Sequence, residues 1–269
     1  MSRTEATVIQ TAYCARQIYD QHCHTSYEIL FVLSGSIRLN LEGEQLLLTE
    51  NTGIVVEPLK YHIVTGNNGP YHRLILTFGQ EAVPEVIYSA FLERIRQNPR
   101  IGGNEVSRLL ERYASAVTQK DPVLEPLLSA LLIQAIYAIT LADPEYPPEA
   151  SGKSRERLRQ ITAFVEANLH RQISLKDVAE HMYISESSLC HLFRQEMNIS
   201  LKQYILRKKM MYAKSLLEQG TLPGTAAALC GYQNYASFYK VFLKITGQTP
   251  GGDRKAPRIY EGAAERSES

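Results

Sequence analysis

Ser185-Glu-Ser-Ser-Leu-Cys-His-Leu-Phe-Arg-Gln-Glu-Met197 and Asn234-Tyr-Ala-Ser-Phe-Tyr-Lys-Val-Phe-Leu-Lys-Ile-Thr246 carry one pattern twice. Its core is Leu189-x-x-Leu192-Phe193, repeated 49 residues later as Phe238-x-x-Val241-Phe242. Apolar residues three and four apart specify a helix with one buried face. Each copy follows a shorter helical unit and a tight turn. Ile173-Ser-Leu-Lys-Asp-Val-Ala179 and Met182-Tyr-Ile184 precede the first, and Ala226-Ala227 and Cys230-Gly-Tyr232 precede the second. A short helix, a turn and a second helix, repeated once, make a duplicated helix-turn-helix. Ser174-Leu-Lys-Asp177 and Ser200-Leu-Lys-Gln203 are capping-box patterns, so helices start at those serines, and Gly220 closes the helix that Ser200 opens.

Geometry then gives each second helix a face. Burying Leu189, Leu192 and Phe193 turns Ser187, Cys190, His191 and Arg194 outward. Burying Phe238, Val241 and Phe242 exposes Tyr235, Ala236, Tyr239 and Lys240. The helix from Ser200 to Gln219 is about 30 Å long at 1.5 Å per residue. It can hold two recognition helices about one DNA turn apart, the ~34 Å that separates successive major grooves. Arg194, Lys202, Arg207, Lys208, Lys209, Lys240 and Lys244 are candidate phosphate contacts, which would make binding strongly salt-dependent.

Upstream the chain changes character. Between Ala6 and Phe78, Tyr27–Leu33, Ile37–Leu41, Gln45–Leu48, Gly53–Val56 and Arg73–Phe78 read as short strands separated by Gly-containing turns. Such a series suggests a sandwich or barrel. Residues 85–97, 104–119 and 123–142 have helical periodicity, and the last is apolar around much of its circumference, which suggests burial against a helix of a second subunit. Asp143-Pro-Glu-Tyr-Pro-Pro-Glu-Ala-Ser-Gly152 is too rich in Pro to hold a helix. The expected fold class is therefore α+β: a β-barrel with flanking helices over 1–142, a linker over 143–153, an all-α reader over 154–258 and a disordered tail over 259–269.

Charge divides along the same boundary. Residues 1–150 carry 11 Lys+Arg against 17 Asp+Glu, and residues 151–258 carry 17 against 8, although the whole chain is +1. One basic domain joined to an acidic one fits a chain of which only one part meets a polyanion. No run of about 18 apolar residues and no secretion signal is present, so the chain is expected in the cytoplasm with no membrane partner. Cys14, Cys23, Cys190 and Cys230 form no CxxC pair and read as free thiols.

Ile173 to Arg254 resembles the DNA-binding region of the AraC-type transcription activators. The resemblance rests on Ser185-x-x-x-Leu189-x-x-x-Phe193, Tyr204-x-x-Arg207 in loose form, Ala213-x-x-Leu216-Leu217, and Gly231-Tyr…Phe238-x-x-x-Phe242-x-x-x-x-Gly247-Gln-Thr-Pro250. It implies base contacts from Ser187, Cys190 and His191 in the first unit and from Tyr235, Ala236, Tyr239 and Lys240 in the second. Its implied partners are double-stranded DNA, a small-molecule effector, RNA polymerase and a second copy of the chain. The family usually has isoleucines where Pro223 and Ala226 stand, so the second unit is expected to bind more weakly. Tyr183 and Asn198 occupy turn positions where the family often has Gly.

The amino-terminal part holds a second constellation: His22-x-His24-x-x-x-Glu28, Gly35, then Gly53…Pro58…His62. On a strand His22 and His24 share a face, and two imidazoles with a carboxylate suit Zn, Fe or Mn. The spacing resembles the first motif of the cupin barrel, the ligand-sensing domain of this regulator family, with a shortened second motif around His62. Three readings stay open: a cupin metalloenzyme with an appended helical module, a metal that clamps a ligand, and a pocket that hydrogen-bonds an organic effector without any cofactor. The pocket candidates are His22, His24, Glu28, Tyr61, His62, His72 and Arg73, a chemistry suited to a sugar; the metal candidates are His22, His24, Glu28 and His62.

Overall fold

Alternating β-branched and aromatic residues build the amino-terminal domain as two facing sheets. The computed structural model describes residues 5–11, 23–66, 69–118, 124–142 and 153–252. Strands β1 (Glu5–Thr11), β2 (Tyr27–Ser34), β5 (Thr52–Val56), β7 (Tyr71–Phe78) and β8 (Arg100–Gly102) form one sheet in the order β1-β7-β2-β5-β8. Strands β3 (Ser36–Leu41), β4 (Glu44–Thr49) and β6 (His62–Gly66) form the other, in the order β4-β3-β6. The pairs joining these strands are antiparallel. The period-2 rule sends Leu30, Val32, Ile54 and Val56 inward against Ile37, Leu39, Leu46, Leu48 and Val64, which fills most of the barrel interior with apolar side chains. The strands quoted from sequence are all present; β1, β6 and β8 are additions, the last two because three to five residues bounded by loops leave too short a pattern to read.

The opposite face of the larger sheet is equally apolar and must be covered. Ile29, Phe31, Val55, Leu74, Leu76 and Phe78 pack under three helices: α1 (Glu85–Gln97), α2 (Asn104–Thr118) and α3 (Leu124–Leu141). These follow the three helical segments expected from periodicity to within a residue or two. Buried Arg94 fastens the layer by donating from Nε to the Ala142 carbonyl at 2.8 Å and from its guanidinium to the Asn98 carbonyl.

Beyond residue 152 the described chain is helical: α4 (Lys153–Ala167), α5 (Leu175–His181), α6 (Glu186–Met197), α7 (Leu201–Glu218), α8 (Pro223–Leu229) and α9 (Tyr235–Thr246). Both expected capping boxes form, at Ser174/Asp177 and Ser200/Gln203. Ser185 and Asn234 cap α6 and α9 through their side chains. Asn198, at φ 58°, and Gly247, at φ 70°, end those helices in the left-handed conformation. Tyr183 also sits at φ 54°, strained for a residue with a Cβ. Helix α7 divides the domain: Leu158, Ile161, Val165, Val178, Leu189, Phe193 and Tyr204 form the core of the first unit, and Met210, Ala213, Ala227, Phe238 and Phe242 that of the second. The second core is smaller, as Pro223 and Ala226 foretell, and α8 lacks a side-chain cap at Leu222. Residues 143–152 and 259–269, expected as linker and tail, lie outside the described residues. No helix among the described residues is long and apolar enough to cross a membrane.

Candidate nucleic-acid interface and effector pocket

Each recognition helix turns its apolar stripe inward and leaves the opposite face open. In α6, Leu189 and Phe193 are fully buried while Ser187 and His191 are exposed and Cys190 is half-buried. In α9, Phe238 and Phe242 are buried, Tyr235, Ala236 and Lys240 are exposed, and Tyr239 is half-buried. All seven residues expected to reach base edges therefore lie on accessible faces. The connecting α7 has 18 residues, about 27 Å of helix at 1.5 Å per residue.

The phosphate candidates divide. Arg194, Lys202, Lys240 and Lys244 are exposed and Arg207 is half-buried. Lys208 and Lys209 require correction, because both are buried, at 0% and 6% exposure, and neither can touch a duplex. Lys209 donates through Nζ to the Cys230 carbonyl at 2.8 Å and to the Arg171 carbonyl, tying the end of α8 to the loop after α4 inside the domain. Lys208 sits between two carboxylates, 2.9 Å from Glu42 Oε1 and 2.7 Å from Glu166 Oε1. Burial pulls its amine down, but the two carboxylates outweigh burial and raise it above the ordinary lysine value. The sequence did hold a signal: Leu201, Tyr204, Ile205 and Lys208 are spaced i, i+3, i+4, i+7, so Lys208 completes an apolar stripe.

Glu42 belongs to the other domain. It and Gly43 form the two-residue turn between β3 and β4, with φ of 49° and 87°. The turn is pinned to the residue just before β6: the Glu42 N–H donates to the Tyr61 carbonyl at 2.8 Å, and the Tyr61 N–H donates to Glu42 Oε1 at 2.6 Å. Glu42 Oε2 accepts from the Tyr204 hydroxyl at 2.6 Å. A Cβ on Gly43 would come within 2.0 Å of Leu158 Cδ2, so the hairpin tip presses directly on α4.

This placement corrects two pocket candidates. Tyr61 is 2% exposed and lies in the core of the first helix-turn-helix unit, its ring 5.3 Å from that of Tyr204. The adjacent Cys23 thiol is pushed up to about 11 by burial. His72 shares its face of β7 with Leu74 and Leu76, the side away from the barrel interior, because it is one residue out of phase with Arg73.

The remaining candidates line the interior at two levels. At one end His24, Glu28 and His62 offer three ligand atoms within 4.8 Å of one another. Only a protonated nitrogen can bond to a carbonyl, so His24 Nδ1 donates to Ser26 O at 2.8 Å and His62 Nδ1 to Lys60 O at 3.1 Å. Both Nε2 atoms then face Glu28, at 3.0 Å and 3.6 Å. Nitrogen lone pairs and carboxylate oxygens meet favourably only when a proton or another cation stands between them. Burial by itself would push the Glu28 carboxyl up, but the two histidines hold it well below the usual carboxylate range. His62 is lowered by burial and raised, on balance, by Glu28. At the other level Arg73 lies over the Tyr71 ring at 5.5 Å. Glu28 pairs with Thr77, four residues from Arg73, so the two levels are about 13 Å apart along the strand. Ile75, between them, and Thr77, beside Glu28, remain partly open. His22 lies outside the described residues.

A β-barrel with a polar interior site, joined to a domain with two helix-turn-helix units, defines a ligand-responsive, sequence-specific DNA-binding transcription regulator. Residues 7–139 match the model of an AraC-like ligand binding domain, and residues 178–256 match that of a helix-turn-helix domain. The chain belongs to the AraC-type transcription regulators. It is similar to the probable transcriptional regulator LumQ of Photobacterium leiognathi, 23% identical over 85% of this chain and 89% of that protein. It is 28% identical to the HTH-type transcriptional activator RhaR of Cronobacter sakazakii, over 92% of this chain and 90% of that one. Among solved structures, ToxT from Vibrio cholerae O395 aligns over 92% of this chain and 95% of its own at 11% identity, with a TM-score of 0.41.

Proposed function

We propose that α6 and α9 enter successive major grooves of one duplex, with Ser187, Cys190 and His191 reading one half-site and Tyr235, Ala236, Tyr239 and Lys240 the other. Arg194, Lys202, Arg207 and Lys244 fix the register on phosphates. The observation that carries this reading is the exposure of both polar stripes on opposite sides of buried Leu189/Phe193 and Phe238/Phe242. Selection of duplexes by the full-length chain tests it. One enriched site with two half-sites about a helical turn apart is the expected result; no enrichment over random duplex at low salt would end it.

The effector in this reading is a small oxygen-rich molecule, of which a sugar is the leading class, recognised at the level of His24, Glu28 and His62 and reaching toward Arg73. A thermal-shift screen of sugars addresses it: a ligand at 100 times its Kd adds about 2.7 kcal/mol. One observation favours a second reading, a divalent metal at the same place. Two imidazoles oriented by Nδ1–carbonyl bonds, with both Nε2 atoms turned to one carboxylate, are a fitting donor set. Such an ion would supply a Lewis-acidic clamp for effector oxygens, and metal analysis of purified protein distinguishes the two readings. A catalytic role is not proposed, since the similar proteins described above are transcriptional regulators.

The chain is proposed to act in the cytoplasm as a homodimer that contacts RNA polymerase. Support for the dimer comes from α3: Leu127, Ala130, Gln134, Tyr137 and Leu141 follow a 3-4-3-4 spacing, and Leu127, Tyr137 and Leu141 are 47%, 53% and 65% exposed. That is a coiled-coil spacing left open among the described residues. Sedimentation of the Leu127→Glu/Tyr137→Glu protein should give half the mass of the parent; equal masses would remove α3 from the interface.

A further inference from the structure

Three consecutive residues, Lys60, Tyr61 and His62, tie the barrel interior to the first helix-turn-helix unit at two points. His62 turns into the barrel and faces Glu28. Tyr61 turns the other way, into the core of the first helix-turn-helix unit. Lys60 donates through Nζ to both oxygens of Glu166 on α4, at 3.0 Å and 3.1 Å. The segment is also tied to itself, since the His62 ring donates to the Lys60 carbonyl.

From Tyr61 the packing continues without a gap to the face proposed to read DNA. The Tyr61 ring lies 5.3 Å from that of Tyr204, and the Tyr204 ring lies 5.1 Å from that of Phe193 on α6. Phe193 is the buried anchor of the helix whose opposite side carries Ser187 and His191. Around this row the charges cross the domain boundary: Lys208 bridges Glu42 of the barrel turn and Glu166 of α4, Tyr204 donates to Glu42, and Arg159 reaches Glu44 at 3.6 Å. Lys208 is at 0% exposure, so its ammonium is compensated for lost water only while both carboxylates are in place. A buried ion cluster of this kind permits two discrete arrangements, docked and undocked, rather than a continuous drift.

We propose that Lys60-Tyr61-His62 is the coupling element of the regulator: occupancy of the barrel site at Glu28 and His62 shifts this strap, and the row Tyr61–Tyr204–Phe193 delivers the shift to recognition helix α6. The proposal rests on the reading that the barrel site takes an effector, and adds the route by which occupancy is felt. The docked arrangement holds barrel and first reader as one body, and an effector that draws His62 away from Glu28 loosens the strap. Coupling then equals the difference in effector affinity between the two arrangements.

A double-mutant cycle on the full-length protein tests the route without an effector. Glu28→Gln perturbs the barrel site, and Tyr61→Leu removes the ring that links it to Tyr204. The readout is amide hydrogen exchange across 189–212, with the strands β2, β5 and β7 as the internal control for folding. Glu28→Gln alone should speed exchange in 189–212 about tenfold, and should add nothing once Tyr61→Leu is present. Equal effects of Glu28→Gln in both backgrounds, or no effect in the parent, would overturn the route. Should either variant lose its strand protection, His24→Gln replaces the first and Lys60→Met the second, under the same two criteria. A screen in which no ligand binds would sink the effector reading while leaving the cycle intact. A ligand that binds with an additive cycle would sink the route alone.

Discussion

Lys208 is the residue on which the two domains most directly agree. An ammonium at 0% exposure is tolerable because Glu42 and Glu166 stand at 2.9 Å and 2.7 Å. Lys208→Met keeps the stem and deletes the charge, leaving two carboxylates facing each other in a confined space. Breaking a buried pair from one side costs about 3–5 kcal/mol. Glu42 and Glu166 keep some access to water, at 12% and 33% exposure, so the low end of that range is expected in denaturant titration. Tyr183 gives the opposite sign. It holds φ 54° at 95% exposure, with almost no burial to offset the strain. Tyr183→Gly should raise stability by about 0.5–1 kcal/mol, the left-handed strain relieved less the extra unfolded-state freedom of glycine. Residue-level roles were the least legible in sequence. Arg207, Lys208 and Lys209 appear as one basic run, yet successive helix positions differ by about 100°, and only the heptad spacing from Leu201 shows that Lys208 points inward.

Elements were far more legible than the roles of single residues, for a physical reason. Caps are local chemistry: Ser174/Asp177, Ser185, Ser200/Gln203 and Asn234 satisfy amides three residues away, so the pattern and the structure coincide. Ser185→Ala should therefore cost about 1 kcal/mol in thermal unfolding, because it leaves the Ser188 amide at the start of α6 without its side-chain acceptor. The turn glycines are local in the same way. Gly231 stands at φ 77°, and a Cβ there would meet backbone atoms of Gln172 and Arg171 at 2.7 Å and 2.8 Å. Recognition helices are also elements whose outward face follows from the inward one. Replacing His191 by Ala should weaken specific binding by about 1–3 kcal/mol and relax preference at one base pair. An unchanged preference profile in duplex selection would leave His191 as surface only. The position of Tyr61 was not legible, because its partner Tyr204 lies more than a hundred residues away and neither local period contains the other.

At the scale of the molecule, docking of the barrel on the first reader is a charge arrangement and has a pH window. Glu166 is pushed up by burial, but Lys208 and Lys60 outweigh that and hold it below the ordinary carboxylate range. Lys208, lowered by burial, is raised on balance by Glu42 and Glu166. Tyr204, Lys60, Glu42, Cys23 and Arg207 are further titratable groups facing this cluster. A carboxyl depressed in the docked state contributes fully above its free value, about 4.3, and loses that contribution as pH falls through the docked value. An amine raised in the docked state contributes fully below about 10.4 and loses it as pH rises beyond. The ion cluster's share of docking should therefore hold level from about pH 5 to about pH 10 and fall away on the acid side only below the normal carboxylate range. Hydrogen exchange of 201–212 followed against pH, corrected for intrinsic rates, measures this directly. In Lys60→Met the Glu166 carboxyl loses one of its two cations, so the acid limb should move to higher pH. An acid limb that stays in place would assign the docking to apolar contacts such as Tyr61 on Tyr204 and Gly43 on Leu158, with the ion cluster setting only the register.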